Sequence, residues 1–257
     1  MINLSKKIVA FDLDGTLAES KQHLETDMSE LLCDLAKEKI VTIISGGSIH
    51  QFNKQFLPFL KVEEKDEGIY KNLILLPTSG SQRYQYNDVK KEWEMTDIEE
   101  FPKETKIKVI KELDEMINSQ KYGIAPVIEG DQIIEDRLTQ ISMSALGQHA
   151  PLELKKEWDP NQNKRLEIKK ILEGKLSDVS IIIGGTTTLD ILPSGFDKAK
   201  GLKRLLNKLN MTIEDMVFVG DAIFPGGNDY SVYEAGIESI RVSGPSEAKE
   251  IIKKWIV

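Results

Sequence analysis

The sequence is poor in cysteine and in long apolar segments. It has a single cysteine, Cys33, so no internal disulfide can form, and we expect a reducing compartment. Nowhere do about 18 uncharged apolar residues run together, and the N-terminal segment lacks the apolar stretch and cleavage site of a signal peptide. These absences predict a soluble, cytoplasmic protein with no membrane partner.

Positive charge is also scarce. Lysine and arginine number 34 against 42 aspartates and glutamates, which gives a formal net charge of -8. No Lys/Arg-dense stretch stands out, and a general nucleic-acid binder needs a row of cations to neutralise phosphates, so that class is excluded. Hydrophobic residues make up 40% of the chain and charged residues 30%, so we expect an ordered globular protein.

Short buried strands alternate with amphipathic helices at both ends of the chain. The apolar runs are "KKIVAF", "VTIISGG", "NLILLPTSG", "DMVFVGD" and "ESIRVSG". This alternation predicts an α/β fold with a parallel sheet and right-handed crossovers. The middle of the chain has the texture of α+β material, including a polar hairpin. We therefore predict a Rossmann-like parallel-sheet core formed by residues 1–84 and 186–257, with an inserted α+β cap domain at 85–185.

Carboxylates stand where the predicted strands end. Asp12 and Asp14 follow the first strand, and Asp221 and Asp229 follow a later one. An Asp-Gly turn would explain the first pair alone. The carboxyl ends of parallel strands meet, however, so four carboxylates would crowd one crevice and could not all stay ionised at modest cost without a cation. Mg²⁺, which prefers oxygen ligands, is the predicted cofactor.

A carboxylate beside such a cation can attack phosphorus. Asp12 is the predicted nucleophile, forming an aspartyl-phosphate, and Asp14 is the predicted acid and base that serves first the leaving alkoxide and then water. Ser45 and the backbone N–H of Gly46 can donate to phosphoryl oxygens, and Lys198 would add a positive charge. The predicted partner is a small phosphorylated substrate.

The order of these segments resembles that of the four motifs of the haloacid dehalogenase (HAD) superfamily of phosphohydrolases. The long insertion is similar to the C2B-type cap of subfamily IIB, and "FVGDAIFPGGNDYSVY" and "DILPSGFDK" resemble segments of the eukaryotic-type phosphomannomutases. The resemblance implies that Mg²⁺ is held by the side chains of Asp12 and Asp221 and by the backbone carbonyl of Asp14. Asn228 and Asp229 would support this site.

The resemblance also implies substrate contacts in the cap. Thr188 and Asp190 match substrate-contacting positions of the mutases, and Arg137 matches a phosphate-contacting arginine, although an ion pair with a neighbouring acid is the alternative. Gln148 stands where the mutase pattern "SPIGR" has arginine, and Ala222 replaces a common lysine. A weaker grip on a second phosphate favours a sugar-phosphate phosphatase over the alternative, a phosphomannomutase.

Two alternatives from other classes are a phospho-accepting receiver module and a non-catalytic sugar-phosphate binder. Receiver domains also place an acidic cluster and a lysine at the ends of a parallel sheet. The second aspartate, Asp14, and the long insertion argue against that class, because a lid that excludes water serves an enzyme. By analogy with the mutases, a homodimer through the cap is the expected assembly.

Overall fold

The chain forms two compact units. A computed structural model describes residues 5–20 and 22–256. The first unit contains Met1–Ile98 and Lys198–Val257, and the second unit is Glu99–Asp197. The strands are β1 (Ile8–Asp12), β2 (Ile40–Ile44), β3 (Leu73–Leu76), β4 (Gln82–Asn87), β5 (Glu92–Ile98), β6 (Ile134–Asp136), β7 (Ile141–Ser144), β8 (Val179–Gly184), β9 (Thr188–Pro193), β10 (Met216–Gly220) and β11 (Glu238–Arg241). The helices are α1 (Thr26–Glu38), α2 (Ile49–Gln55), α3 (Lys103–Asn118), α4 (Leu152–Trp158), α5 (Asn163–Lys175), α6 (Lys198–Lys208), α7 (Tyr230–Glu234) and α8 (Pro245–Ile252).

A seven-stranded sheet forms the centre of the first unit. Its strand order is β11-β10-β1-β2-β3-β4-β5. Pairing is parallel from β11 to β3, whereas β4 and β5 are added in antiparallel pairs. Every residue of β1 is buried, as expected for a strand covered on both faces. The predicted α/β fold with a parallel-sheet core is confirmed.

Alternation along β1 sends its side chains to opposite faces of this sheet. Val9 and Phe11 lie in an apolar cluster that includes the buried face of α1, whereas Ile8 and Ala10 lie in a second cluster that includes the buried face of α6. Helices therefore cover both faces. Polar side chains are left to the ends of the strands, which is where open parallel sheets place their ligand sites.

The second unit is built on a separate antiparallel sheet. Its strand order is β6-β7-β9-β8, and it has its own apolar core, in which Ile141 of β7 lies opposite Ile191 of β9. Helices α3 and α5 contribute Val109 and Ile168 to that core. None of the helices in the described part of the chain combines the length and apolar composition that a bilayer crossing requires.

Both boundaries between the units lie further along the chain than the predicted boundaries at 84/85 and 185/186: the second unit begins at Glu99 and ends at Asp197. The polar hairpin of β4 and β5, which we expected in the cap, instead extends the core sheet, because Gln85 and Tyr84 pair with β3. At the other boundary, β9 pairs with β7 and β8 of the second unit. An edge hairpin has many half-exposed polar residues, and its sequence pattern does not reveal the strand with which it pairs.

Two glycines let α6 approach the turn that follows β3. A Cβ on Gly201 would lie 2.4 Å from the carbonyl oxygen of Ser79 and 2.8 Å from Cα of Gly80. Both are backbone atoms, which cannot rotate away. Gly80 itself has a φ of +82°, a left-handed conformation that favours glycine. This close contact sets the position of α6, which begins at Lys198.

Gly201→Ala should lower the free energy of unfolding by about 1–3 kcal/mol, because the added methyl group overpacks a backbone contact. The matched control is Gly174→Ala in α5, where an added Cβ would meet nothing within 4 Å. That substitution should raise stability by about 0.5–1 kcal/mol through helix propensity. Urea unfolding followed by circular dichroism measures both changes. Stabilisation by both substitutions would contradict the close contact.

Candidate active site

Three neighbouring parallel strands bring most of the predicted core-site residues to one edge of the sheet. Asp12 ends β1, Ser45 follows β2, and Asp221 follows β10. Since β10, β1 and β2 are adjacent, their carboxyl ends meet. Lys198 begins α6, and Asp229 directly precedes α7. The fold therefore gathers residues from both ends of the chain at this edge.

Lys198 joins two of these carboxylates. Its Nζ donates to Oδ1 of Asp12 at 2.5 Å and to Oδ1 of Asp229 at 2.6 Å. All three side chains are buried. Burial lowers the pKa of the Lys198 ammonium, but the charges of Asp12 and Asp229 outweigh burial and hold that pKa above its ordinary value. The charged lysine thus offsets one of the two buried carboxylates.

A surplus of negative charge remains beside Lys198. Burial raises the pKa of Asp12 well above its ordinary value; Lys198 opposes this shift, and Asp229 and Asp14 add to it. Burial and the charge of Asp229 also raise the pKa of Asp221. Oxygens of Asp12, Asp221 and Asp229 all lie within 4.8 Å of one another. Crowded carboxylates favour a cation, and their oxygens are the donors that Mg²⁺ prefers, so this set fits that ion.

The loop after β10 holds Asp229 in place. The N–H of Ala222 donates to Oδ2 of Asp229 at 3.1 Å, so this carboxylate connects the loop to Lys198. A Cβ on Gly227 would lie 2.0 Å from the carbonyl oxygen of Ala222, so the loop closes tightly on itself only with glycine at that position. Asn228, the other predicted supporting residue, is half-buried in the same turn.

The Ser-Gly-Gly turn stands beside Asp12. Ile44, the residue before Ser45, pairs with Asp12 across β1 and β2. The Ser45 hydroxyl oxygen is buried and accepts a hydrogen bond from the N–H of Gly47 at 3.0 Å. Gly46 lies between them, half-buried. The two residues predicted to bind phosphate, Ser45 and Gly46, therefore neighbour the predicted nucleophile.

Asp14 is held by two side chains that the motif analysis missed. Gln51 donates from Nε2 to Oδ2 of Asp14 at 2.5 Å, and Gln55 donates from Nε2 to Oδ1 at 3.0 Å. Both glutamines belong to α2, which begins shortly after the Ser-Gly-Gly turn. Their spacing of four residues places them on one face of that helix. Paired amides at this spacing, directly after such a turn, are the signal that could have identified them.

Arg137 and Asp190 lie close together in the second unit. Arg137 donates from Nε and Nη2 to Oε2 of Glu135 at 2.9 and 2.7 Å, and its Nη1 lies 3.8 Å from Oδ1 of Asp190. The contact with Glu135 is the ion pair considered above as an alternative for Arg137. Burial raises the pKa of Asp190, and Arg137 together with the Ser142 hydroxyl, which donates at 2.6 Å, opposes that shift.

The other two predicted substrate residues occupy different segments of the second unit. Thr188 begins β9 and shares a face of that strand with Asp190, two residues later. Gln148 lies in the loop after β7, which ends at Ser144. Its carbonyl oxygen accepts a hydrogen bond from Lys155 at 2.8 Å. Its Nε2 is buried without a hydrogen-bond partner among the described residues. Thr188 and Asp190 therefore lie on β9, and Arg137 lies in the turn between β6 and β7, the strand that pairs with β9. Gln148 lies after the end of β7.

Lys198→Met should lower the free energy of unfolding by about 3–5 kcal/mol near neutral pH, because Asp12 and Asp229 would stay buried without their cation. Without Lys198, the pKa of Asp12 in the folded variant would rise further above its value in the unfolded chain. The folded variant would then keep a proton on Asp12 that the unfolded chain releases, so the variant loses stability as the pH rises towards the folded-state pKa. Urea unfolding in EDTA at about pH 5.5 and 7.5 should therefore show the larger deficit at the higher pH. A deficit independent of pH would contradict this account.

Sequence comparisons place the chain among known enzymes. A family model described as haloacid dehalogenase-like hydrolase matches residues 9–236. The chain is 26% identical over 250 residues to a phosphomannomutase of Encephalitozoon cuniculi, covering 94% of this chain and 90% of that protein. It is 27% identical over 236 residues to a phosphomannomutase of Dendrobium officinale, covering 89% of this chain and 85% of that protein.

Solved structures share the fold at lower identity. An N-terminally truncated, IMP-bound IMP-nucleotidase of Plasmodium falciparum has a TM-score of 0.70 at 18% identity, covering 98% of this chain and 68% of that one. A haloacid dehalogenase-like hydrolase from Bacteroides thetaiotaomicron has a TM-score of 0.57 at 17% identity, covering 97% and 99%. Because the family match runs from β1 to the end of α7, this chain belongs to the haloacid dehalogenase-like hydrolases and resembles the phosphomannomutases among them.

Proposed function

We propose that this protein is a Mg²⁺-dependent phosphatase that hydrolyses a small phosphate monoester such as a sugar phosphate. The observation that carries the proposal is the buried group of Asp12, Lys198 and Asp229 at the ends of parallel strands, beside the Ser-Gly-Gly turn. A carboxylate held next to a lysine can approach a phosphate whose negative charge that lysine offsets. Membership of the family and relatives that are phosphomannomutases support phosphoryl transfer.

In the first step, Asp12 is the nucleophile. One Oδ of Asp12 bonds to phosphorus while the bond from phosphorus to the leaving oxygen breaks, and Asp14 donates its proton to that oxygen. Lys198, the Ser45 hydroxyl and the N–H of Gly46 stabilise the phosphoryl oxygens. The products of this step are a free alcohol and a phosphorylated Asp12.

In the second step, water releases the phosphoryl group. Asp14, now a carboxylate, takes a proton from a water molecule as the water oxygen bonds to phosphorus. The bond between phosphorus and Asp12 then breaks and inorganic phosphate leaves. Asp12 returns as a carboxylate and Asp14 as an acid, so the cycle is closed without another reactant.

The cofactor would be held by the carboxylates of the site. Asp12 and Asp221 provide side-chain oxygens, Asp14 provides its backbone carbonyl, and Asn228 and Asp229 support the loop. When bound, Mg²⁺ offsets the charges that would otherwise keep an anionic carboxylate and an anionic phosphate apart. Burial, together with the charge of Asp229, raises the pKa of Asp12 and of Asp221, and carboxylates crowded in this way support this assignment.

Recognition of the non-reacting part of the substrate is assigned to the second unit. The residues proposed to contact this part of the substrate are Arg137, Gln148, Thr188 and Asp190. The Arg137 side chain is 12% exposed and contacts Glu135, so it would present a fixed guanidinium rather than a mobile one. The homodimer through this unit and the cytoplasmic location stay predictions.

Hydrolysis is favoured over isomerisation because a mutase must grip whichever phosphate is not reacting. Gln148 and Ala222 stand where the mutase pattern has cations. Two lysines could replace the charge, but both have partners within the second unit: Lys155 donates to the Gln148 carbonyl, and the Lys164 ammonium lies 4.8 Å from the ring centre of Trp158. Phosphomannomutase activity is the second candidate, since the relatives described above carry that name.

Asp12→Asn should lower turnover of any phosphate-ester substrate by at least about a thousandfold, because an amide is a poor nucleophile and a neutral metal ligand. The matched control is Asp34→Asn on α1, where an exposed carboxylate pairs with Lys37. The control should retain wild-type turnover. Release of inorganic phosphate, measured with and without EDTA and after restoring Mg²⁺, tests the nucleophile and the metal together. Full activity of Asp12→Asn would rule out this mechanism, and absence of any turnover in the wild type would favour the receiver or binding-module alternatives.

With mannose 1-phosphate and a sugar bisphosphate activator, phosphate release should exceed formation of mannose 6-phosphate. The weaker grip expected from Gln148 leaves the aspartyl-phosphate to water rather than to a returning sugar phosphate. Both products can be followed in one reaction by coupled assays. Isomerisation faster than phosphate release would establish the mutase alternative. If phosphate release dominates in the wild type, Gln148→Arg as a single substitution should shift the ratio of the two products towards mannose 6-phosphate.

A further inference from the structure

Asp14 and the two glutamines of α2 form a closed ring of hydrogen bonds. Besides the two contacts with Asp14, Gln51 Nε2 donates to Oε1 of Gln55 at 2.8 Å. A side-chain amide nitrogen carries two hydrogens, so Gln51 can donate to both acceptors at once. Each oxygen of the Asp14 carboxyl group then receives one N–H, from Gln51 on Oδ2 and from Gln55 on Oδ1. The orientation of the whole carboxyl group is thereby specified.

The surroundings of α2 keep both amides in place. Gln55 is 3% exposed, and its backbone carbonyl accepts a hydrogen bond from the N–H of Leu24 at 3.0 Å. Gly47 leaves space for the other amide, since a Cβ there would lie 1.7 Å from Oε1 of Gln51. The turn proposed to bind phosphate and the residues proposed to orient Asp14 are therefore in direct contact.

The partners of the two aspartates differ in charge. Asp12 accepts a hydrogen bond from the ammonium of Lys198. Asp14 is held by two neutral amides. Two amide donors, one on each oxygen, fix the direction of the Asp14 carboxyl group.

We propose that Gln51 and Gln55 are positioning residues that hold Asp14 in the orientation needed for proton transfer to the leaving oxygen and from water. This assignment rests on the proposed function, because it concerns the acid and base of that reaction. Neither glutamine touches the reacting atoms; both act through Asp14. Their loss should therefore affect substrates according to how much protonation the leaving group needs.

The test uses Gln51→Met, Gln55→Met and the double variant, which keep side-chain length and remove the amide. Asn53→Met is the matched control, since Asn53 lies exposed on the same helix. The substrates are a sugar phosphate, with an alkoxide leaving group, and p-nitrophenyl phosphate, whose phenolate leaves without a proton. For the sugar phosphate, kcat/KM should fall about tenfold in each single variant and up to about a hundredfold in the double variant.

For p-nitrophenyl phosphate, kcat/KM should change by less than about twofold, because it reports steps up to leaving-group departure. The kcat for the same substrate should fall, since Asp14 must still activate water in the second step. A pre-steady-state burst of p-nitrophenol, with phosphorylated Asp12 detected by mass spectrometry, should then become visible. If the glutamines served only folding, their loss would lower kcat/KM equally for both substrates and would produce no burst.

A crystal structure of the double variant provides a readout independent of turnover. Asp14 should adopt a different or mixed side-chain conformation while Asp12 and Lys198 keep theirs. If the double variant does not fold, the same comparison is made with Gln51→Met, whose site is less buried.

Equal losses on the two substrates, no losses, or an unmoved Asp14 would overturn the positioning role. An active wild type with equal losses in the variants would overturn this inference alone. A wild type inactive on both substrates would instead overturn the proposed function on which the inference rests. Asn53→Met should match the wild type on both substrates, and a loss there equal to that of Gln51→Met would also count against the inference.

Discussion

The contact of one lysine ammonium with two buried carboxylates is the constraint on which the core depends. Removing Lys198, Asp12 and Asp229 from water is unfavourable, and only their mutual attraction and further hydrogen bonds offset that cost. The lysine reaches the carboxylates because α6 packs directly on the backbone near Gly80. Asp229 reaches the lysine because the preceding loop closes on the Ala222 amide. The glycines at these two contacts therefore allow the close packing that brings Lys198 and Asp229 together.

The two aspartates of the first motif, to which the proposed mechanism gives different roles, also have different neighbours. Asp12 lies next to a cation and a crowd of carboxylates, whereas Asp14 is turned towards neutral amides on another helix. A single residue separates them in the chain, yet Asp12 contacts Lys198 of α6 and Asp14 contacts Gln51 and Gln55 of α2. In the proposed mechanism these two aspartates act in the same way in hydrolysis and in isomerisation, and the grip on the rest of the substrate decides between the two outcomes.

Much of the core site could be predicted from the sequence because its residues follow strands whose apolar runs are easy to recognise. Parallel strands place their carboxyl ends together, so the proximity of Asp12, Ser45 and Asp221 follows from the element order. The hairpin of β4 and β5 could not be assigned in this way, since its pairing with β3 involves no distinctive side chain. Gln51 and Gln55 were missed because neutral amides give no charge signal, and their role depends on where α2 sits.

The charged contacts of the core join residues that are far apart in the chain. Lys198 and Asp12 are separated by 186 residues, and the whole second unit is translated between them. Contacts of such long range must close a long loop before they form, and contacts between distant residues slow folding. A nascent chain therefore displays the acidic end of β1 without its counter-charge throughout synthesis of the second unit. The second unit, whose contacts are more local, can fold first, and the core sheet becomes electrostatically complete only when α6 and β10 have left the ribosome.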